Sequence, residues 1–116
     1  MAQSEIIDYT ALDTLLTMVN HDTGFLAEMI DEYFADTPRQ LTAIRLALAT
    51  GNTAELQRAA HTVKSNSASF GAMRLSEMCK ELEDLGKHGV LDGGAERLAL
   101  VEAEYAAVQW ALRAAC

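Results

Sequence analysis

Leu12, Leu15, Leu16 and Val19 recur at intervals of three and four residues, the spacing that lines one face of an α-helix. This first stripe is short; Thr10 is read as opening it, and Asn20-His21 as interrupting it. A longer stripe follows through Leu26, Ile30, Phe34, Leu41, Ile44 and Leu48, with Asp22 placed to cap its start. Pro38 falls inside it, where the ring removes a backbone donor and crowds the preceding turn. Because the apolar phase is unchanged across Pro38, one kinked helix is expected rather than a restart after Asp36 or Thr37. Thr50-Gly51 ends this helix, and Asn52 followed by Glu55 has the form of a capping box for the next. So short a connection forces an antiparallel hairpin.

The third helix turns Leu56, Ala60, Val63, Ser67 and Phe70 to one side and ends near Gly71. A fourth carries Leu75, Met78, Cys79, Leu82 and Leu85, after which Gly86, Gly89, Gly93 and Gly94 mark a looser connection. The last repeats Leu98, Val101, Tyr105, Val108 and Leu112 in strict three-four spacing, which suits a bundle seam. The expected fold is all-α: an antiparallel up-down four-helix bundle with a short additional N-terminal helix as a lid. Residues 1–9 are read as a linker or tag remnant, and residues 10–116 as the domain.

Composition bounds this picture. At 116 residues the chain is long enough for one core and too short for two. Half of its residues are hydrophobic, with one proline and few aromatics, which favours helices over a β-sandwich. A formal charge of −8 argues against nucleic acid and against an anionic membrane surface as partners. No apolar run approaches the roughly 20 residues of a membrane span, and no charged-then-apolar leader precedes the first stripe. Cys79 and Cys116 form no C-x-x-C pair. Cys79, on an apolar face, is read as a reduced structural thiol, and a cytoplasmic setting is expected.

The candidate chemistry lies in Ala60 to Gly71, A-H-T-V-K-S-N-S-A-S-F-G. His61 falls about 140° round the helix from Leu56, so its ring should face water. On the same outer side stand Ala54, Gln57, Ser65 and Ala68, all small or uncharged, with Lys64 to one flank. A solvated helix face ordinarily carries Glu, Lys, Arg and Gln. Here Lys64 is followed instead by Ser65, Asn66, Ser67, Ala68 and Ser69, of which the serines and Asn66 are mediocre helix formers. Something other than helix propensity favours them.

The run H-T-V-K-S-N-S-A-S-F-G-A-M-R-L-S-E-M-C-K-E-L-E resembles the signature of histidine-containing phosphotransfer (HPt) domains of bacterial multistep phosphorelays, in the version found at the C-terminal end of hybrid sensor histidine kinases. The matching positions are His61, Lys64, the small Ser65, Phe70-Gly71, Leu75 and Leu82-Glu83, and a weaker likeness extends from about Asp8 to Leu112. Many members carry glycine where this chain has Ser65; the serine is small enough to leave the ring accessible but puts a hydroxyl beside it. The resemblance implies a phosphocarrier of signal transduction: His61 takes a phosphoryl group on Nε2 from the aspartate of one response-regulator receiver domain and passes it to another. Lys64 would offset charge on the phosphoryl oxygens, and Gln57, one turn before His61, would donate a hydrogen bond to the ring or the phosphate. Ser65, Ala68 and Ala54 would give access and docking, with Phe25, Met29 and Tyr33 as candidates on the second helix. Phe25 and Met29 are read as widening the core or touching the N-terminal helix in preference to docking. Magnesium is expected on the receiver and no cofactor on this chain, which is expected to be a monomer and a piece of a larger kinase.

Other chemistries fit less well. No nucleotide loop of the form G-x-x-x-x-G-K-[ST] occurs, so autokinase activity is not expected. A di-iron bundle calls for Glu-x-x-His pairs, and Glu55 to His61 or Glu83 to His88 have the wrong spacing. A hydrolase needs a nucleophile, a base and an orienting group that converge, and nothing in the sequence is read as pairing with His61. His88 is read as a surface residue at a helix C-terminus. The remaining alternative is a helical interaction adaptor that has the fold without the phosphotransfer.

Overall fold

The computed structural model describes residues 6–115. Five helices follow in order: α1 (Tyr9–Met18), α2 (Thr23–Thr50), α3 (Thr53–Ser69), α4 (Met73–His88) and α5 (Gly94–Ala115). The last four form the expected bundle. Neighbours along the chain pack side by side, α2 and α5 close the ring, and α3 and α4 share the most extensive interface. This arrangement sets α3 diagonally across the core from α5.

Helix starts follow the capping chemistry of the sequence. Asp22 Oδ1 accepts from the Phe25 amide at 3.0 Å, and Asn52 Oδ1 from the Glu55 amide at 3.1 Å, each satisfying a donor that the first turn leaves open. For α1 the cap is Asp8, whose carboxylate accepts from the Thr10 amide, so the helix opens before Thr10. Asn20 and His21 both take positive φ and turn the chain into α2. Pro38 lies within α2 without ending it.

The core is drawn from the predicted stripes. Leu26, Ile30, Leu41 and Ile44 of α2 are buried, as are all five inner residues of α3 and all five of α5. Phe34 and Leu48 are only partly buried, while Tyr33, outside the predicted stripe, is 3 % exposed. Tyr33 packs against Phe70 with tilted rings 5.0 Å apart, meets Tyr105 edge-on at 5.9 Å, and bonds its hydroxyl to Ser67 Oγ at 2.7 Å. On the far side of the bundle Trp110 is 76 % exposed on α5.

Two boundaries differ from the sequence reading. Ile7 is fully buried in the core, and the Asp8 amide donates to the Gly71 carbonyl at 2.7 Å. The folded unit therefore includes Ile7 and Asp8, which the linker reading of residues 1–9 had set aside; residues 1–5 lie outside the described residues. Gly71 has φ of 82°, and a Cβ there would meet the Asp8 carbonyl oxygen at 2.5 Å, so both the turn and the approach of the N-terminal segment need glycine. Gly86, expected in a loose connection, instead sits buried within α4, which runs on to His88. A Cβ on Gly86 would lie 2.8 Å from the Thr53 carbonyl oxygen and 2.7 Å from the Gln57 nitrogen. The missing side chain is what lets α3 and α4 approach so closely.

Candidate functional site

Burial of Leu56, Ala59, Ala60, Val63 and Ser67 fixes the rotation of α3 and turns His61 outward, its side chain 57 % exposed. The low-propensity run after Lys64 has a packing reason. Ser67 is fully buried where the Tyr33 hydroxyl arrives, and a larger side chain there would push α2 off α3. Asn66 and Ser69 line a cleft of about 440 Å³ between these helices, with Met29, Asp36 and Arg39 on its other wall.

The ring is not alone on its face. Glu83 of α4 places Oε2 2.9 Å from His61 Nδ1 and Oε1 2.6 Å from Lys64 Nζ. The sequence reading that nothing pairs with His61 is thereby corrected: the partner is supplied by the neighbouring helix across the close contact at Gly86. The Lys64 segment is tied to α4 a second time, because Ser76 Oγ donates to the Lys64 carbonyl at 3.0 Å. The Glu83 side chain is only 14 % exposed. Burial works to raise its pKa, but the hydrogen bonds and charges of Lys64 and His61 outweigh it and hold the carboxyl below its ordinary value.

An ionised carboxylate only accepts hydrogen bonds, so the hydrogen of the neutral ring lies on Nδ1 and the lone pair on Nε2. No described residue bonds Nε2. The site thus presents an exposed nucleophilic nitrogen on a ring held from behind, with an ammonium one turn further along the same helix.

The other predicted positions divide. Ala54 and Ser65 are exposed beside His61, and Ala68 is half-buried. Gln57 is half-buried and makes no hydrogen bond to the ring, whose Nδ1 is taken by Glu83. Tyr33 belongs to the core and is withdrawn as a docking residue. Phe25 is 49 % exposed but lies well over two turns from the part of α2 level with His61. That part is marked by Gln40, whose Oε1 accepts from Arg58 Nη2 at 3.3 Å. The α2 surface nearest the histidine is therefore polar, formed by Asp36, Arg39 and Gln40. Arg58 is also paired with Glu55 at 2.6 Å, and its hydrogen bond holds that exposed carboxyl low. His88 donates from Nδ1 to the Asp84 carbonyl at 2.8 Å at the end of α4, away from this site. Among the described residues no group of three His, Cys, Asp or Glu side chains comes together as a metal site requires.

A family model described as Hpt domain matches residues 28–111. The chain belongs to the Hpt domain family. Relatives and solved structures agree with that placement. This Hpt domain is 31% identical over 91 residues to the phosphorelay intermediate protein YPD1 of Saccharomyces cerevisiae, a match covering 72% of this chain and 51% of the yeast protein. With YPD1 of Candida albicans it shares 20% identity over 86 residues, covering 74% and 47%. The domain thus spans about half the length of the curated relatives it matches. Histidine-containing phosphotransfer protein B from Pseudomonas aeruginosa superposes with a TM-score of 0.81 at 27% identity, over 90% of this chain and 88% of that one. The HPT domain of a sensor hybrid histidine kinase from Shewanella has the same fold, with a TM-score of 0.70 at 21% identity and 90% of each chain covered.

Proposed function

We propose that this Hpt domain carries a phosphoryl group between receiver domains of a multistep phosphorelay, through Nε2 of His61. The observation that bears most weight is the Nδ1–Glu83 contact at 2.9 Å, which leaves an outward nitrogen with its lone pair free. In the loading step Nε2 attacks the phosphorus of a receiver's aspartyl phosphate. An N–P bond forms, the acyl O–P bond breaks, and the aspartate leaves as carboxylate. Lys64 stands one turn beyond His61 and offsets charge on the phosphoryl oxygens as they move. Passing the group onward reverses the step. Magnesium belongs to the receiver's acidic pocket, and its ligands are not drawn from this chain.

The domain acts as a carrier, with no catalytic cycle of its own, and works in the cytoplasm as a monomer alongside a hybrid sensor histidine kinase. No described helix is long and apolar enough to cross a membrane. Ala54 and Ser65 leave the ring approachable, and the cleft beside Asp36 and Arg39 offers the receiver a polar edge. Contacts of this size suit a transient complex.

Incubation with a phosphorylated receiver is expected to label His61 with a phosphate that is labile in acid and stable in base. His61→Gln should abolish the label and leave helix content unchanged. Persistence of the label in that variant would move the site to His21 or His88 and overturn this reading.

A further inference from the structure

Thr62, Ser65, Ser67 and Ser69 follow His61 on α3, and only Ser65 keeps its hydroxyl uncommitted. Thr62 donates to the Arg58 carbonyl at 3.1 Å and Ser69 to the Ser65 carbonyl at 3.2 Å. This is the back-bond to the preceding turn that a hydroxyl on a helix commonly makes, as Thr14, Thr17 and Thr50 do elsewhere. Ser67 meets the Tyr33 hydroxyl in the core. Ser65 is exposed, and its Oγ bonds no described residue, not even the His61 carbonyl that the same pattern would assign to it. It lies one turn beyond His61 and about 40° round the helix. A helical side chain leans over the turn before its own, which carries this hydroxyl toward the ring. Cβ atoms so spaced stand about 5–6 Å apart, within reach of the oxygens of a phosphoryl group on Nε2.

We propose that Ser65 is a phosphoryl-binding residue: its hydroxyl donates to an oxygen of the group carried on His61 and stabilises the loaded form of the domain. This rests on the phosphotransfer reading above. The cations of the same helix are already paired, Lys64 with Glu83 and Arg58 with Glu55, each at 2.6 Å. The Ser65 hydroxyl has no such partner to give up and exchanges only water for the phosphoryl oxygen. A hydrogen bond made in the loaded state alone displaces the exchange equilibrium toward that state, by the same linkage that lets a ligand favour the form it binds.

Ser65→Ala removes the hydroxyl and little else, so a direct competition tests the proposal. The wild-type chain is loaded with phosphoramidate, which needs no receiver, and mixed with an equal amount of unloaded Ser65→Ala and a trace of one receiver. The N–P bond on one chain breaks as an O–P bond forms on the receiver's aspartate, and the reverse step loads the other chain. The receiver therefore cancels from the final ratio, which is read by intact mass at alkaline pH, where the phosphate is stable. Wild type is expected to hold the group in preference to Ser65→Ala by roughly fivefold, and Ser65→Gly should be disfavoured as well. Helix propensity differs among the three chains, but it acts alike on loaded and unloaded forms and drops out. An even split with Ser65→Ala, or a preference for Ser65→Gly over wild type, would overturn the proposal and leave His61 as the carrier. A parallel mixture pairs loaded wild type with unloaded, isotopically heavy wild type. Absence of receiver-dependent exchange there would overturn the phosphotransfer reading itself.

Discussion

At the scale of single residues, Lys64 reaches Glu83 at 2.6 Å, so its charge is already partly spent before any phosphoryl group arrives. It contributes little to the core, being 27 % exposed and outside the buried set. Lys64→Ala is therefore expected to slow transfer between receiver and domain by about tenfold or more, the loss of one charge-assisted hydrogen bond. Its melting temperature should stay within a few degrees of wild type. Unaltered transfer kinetics in that variant would remove the electrostatic role. Tyr33→Phe acts the opposite way. It deletes the 2.7 Å bond to Ser67 beneath the site, and should cost about 1 kcal/mol in chemical unfolding with His61 still accessible. His61 and Lys64 were legible in the sequence because both lie on one helix, where spacing alone assigns a face. Glu83 stood in the recognised motif without a role, since its meeting with His61 spans 22 positions and depends on how near two helices come. Tyr33 was misplaced for a related reason. A wheel drawn for α2 in isolation ignores the hydroxyl partner that Ser67 provides.

At the scale of elements, the α3–α4 pair is the unit that builds the site. Gly86 lies one turn beyond Glu83 and has backbone, not a flexible side chain, against the place its Cβ would occupy. Neither helix can yield locally, so Gly86→Ala should prise them apart, with a loss of roughly 1–3 kcal/mol of stability. The Nδ1–carboxylate contact should lengthen with it. The expected readout is a lower denaturation midpoint together with slower transfer, whereas an Ala at exposed Gly89, which ends the helix, should leave transfer unchanged. Wild-type stability in Gly86→Ala would show that the close approach is not needed. This was not legible beforehand, because glycine reads as a breaker wherever several cluster, and Gly86 belongs to such a run. The helices themselves were legible: their caps at Asp22 and Asn52 and their inner residues follow from spacing that tertiary packing had no reason to override.

For the whole molecule, the buried groups set an alkaline limit. Burial pushes the Cys79 thiol up to about 12 from an ordinary 9.0. Burial also raises the Tyr33 hydroxyl above its usual 10.0, a rise that its bond to Ser67 only partly offsets. An unfolded chain releases these protons at their ordinary values while the folded chain keeps them. The stability these two groups contribute is thus undiminished below about pH 9 and falls as pH climbs toward 12. Urea unfolding followed by circular dichroism should show the midpoint dropping over that interval, and Cys79→Ala should remove the part that begins lowest. A midpoint independent of pH across the interval would mean that these groups are solvated. The overall topology was readable from five apolar stripes, but the start of the fold was not. Ile6-Ile7 is too short a run to declare a period, and only its placement against the turn at Gly71 reveals that it belongs.

Trp110 sits at the corner of the bundle diagonally opposite α3, already three-quarters in water, and it is the protein's one indole. Its emission should therefore begin near that of free tryptophan and shift little on heating, making it blind both to denaturation and to visitors at His61. Any blue shift that a mixture produced would signal something settling on the reverse side of the molecule.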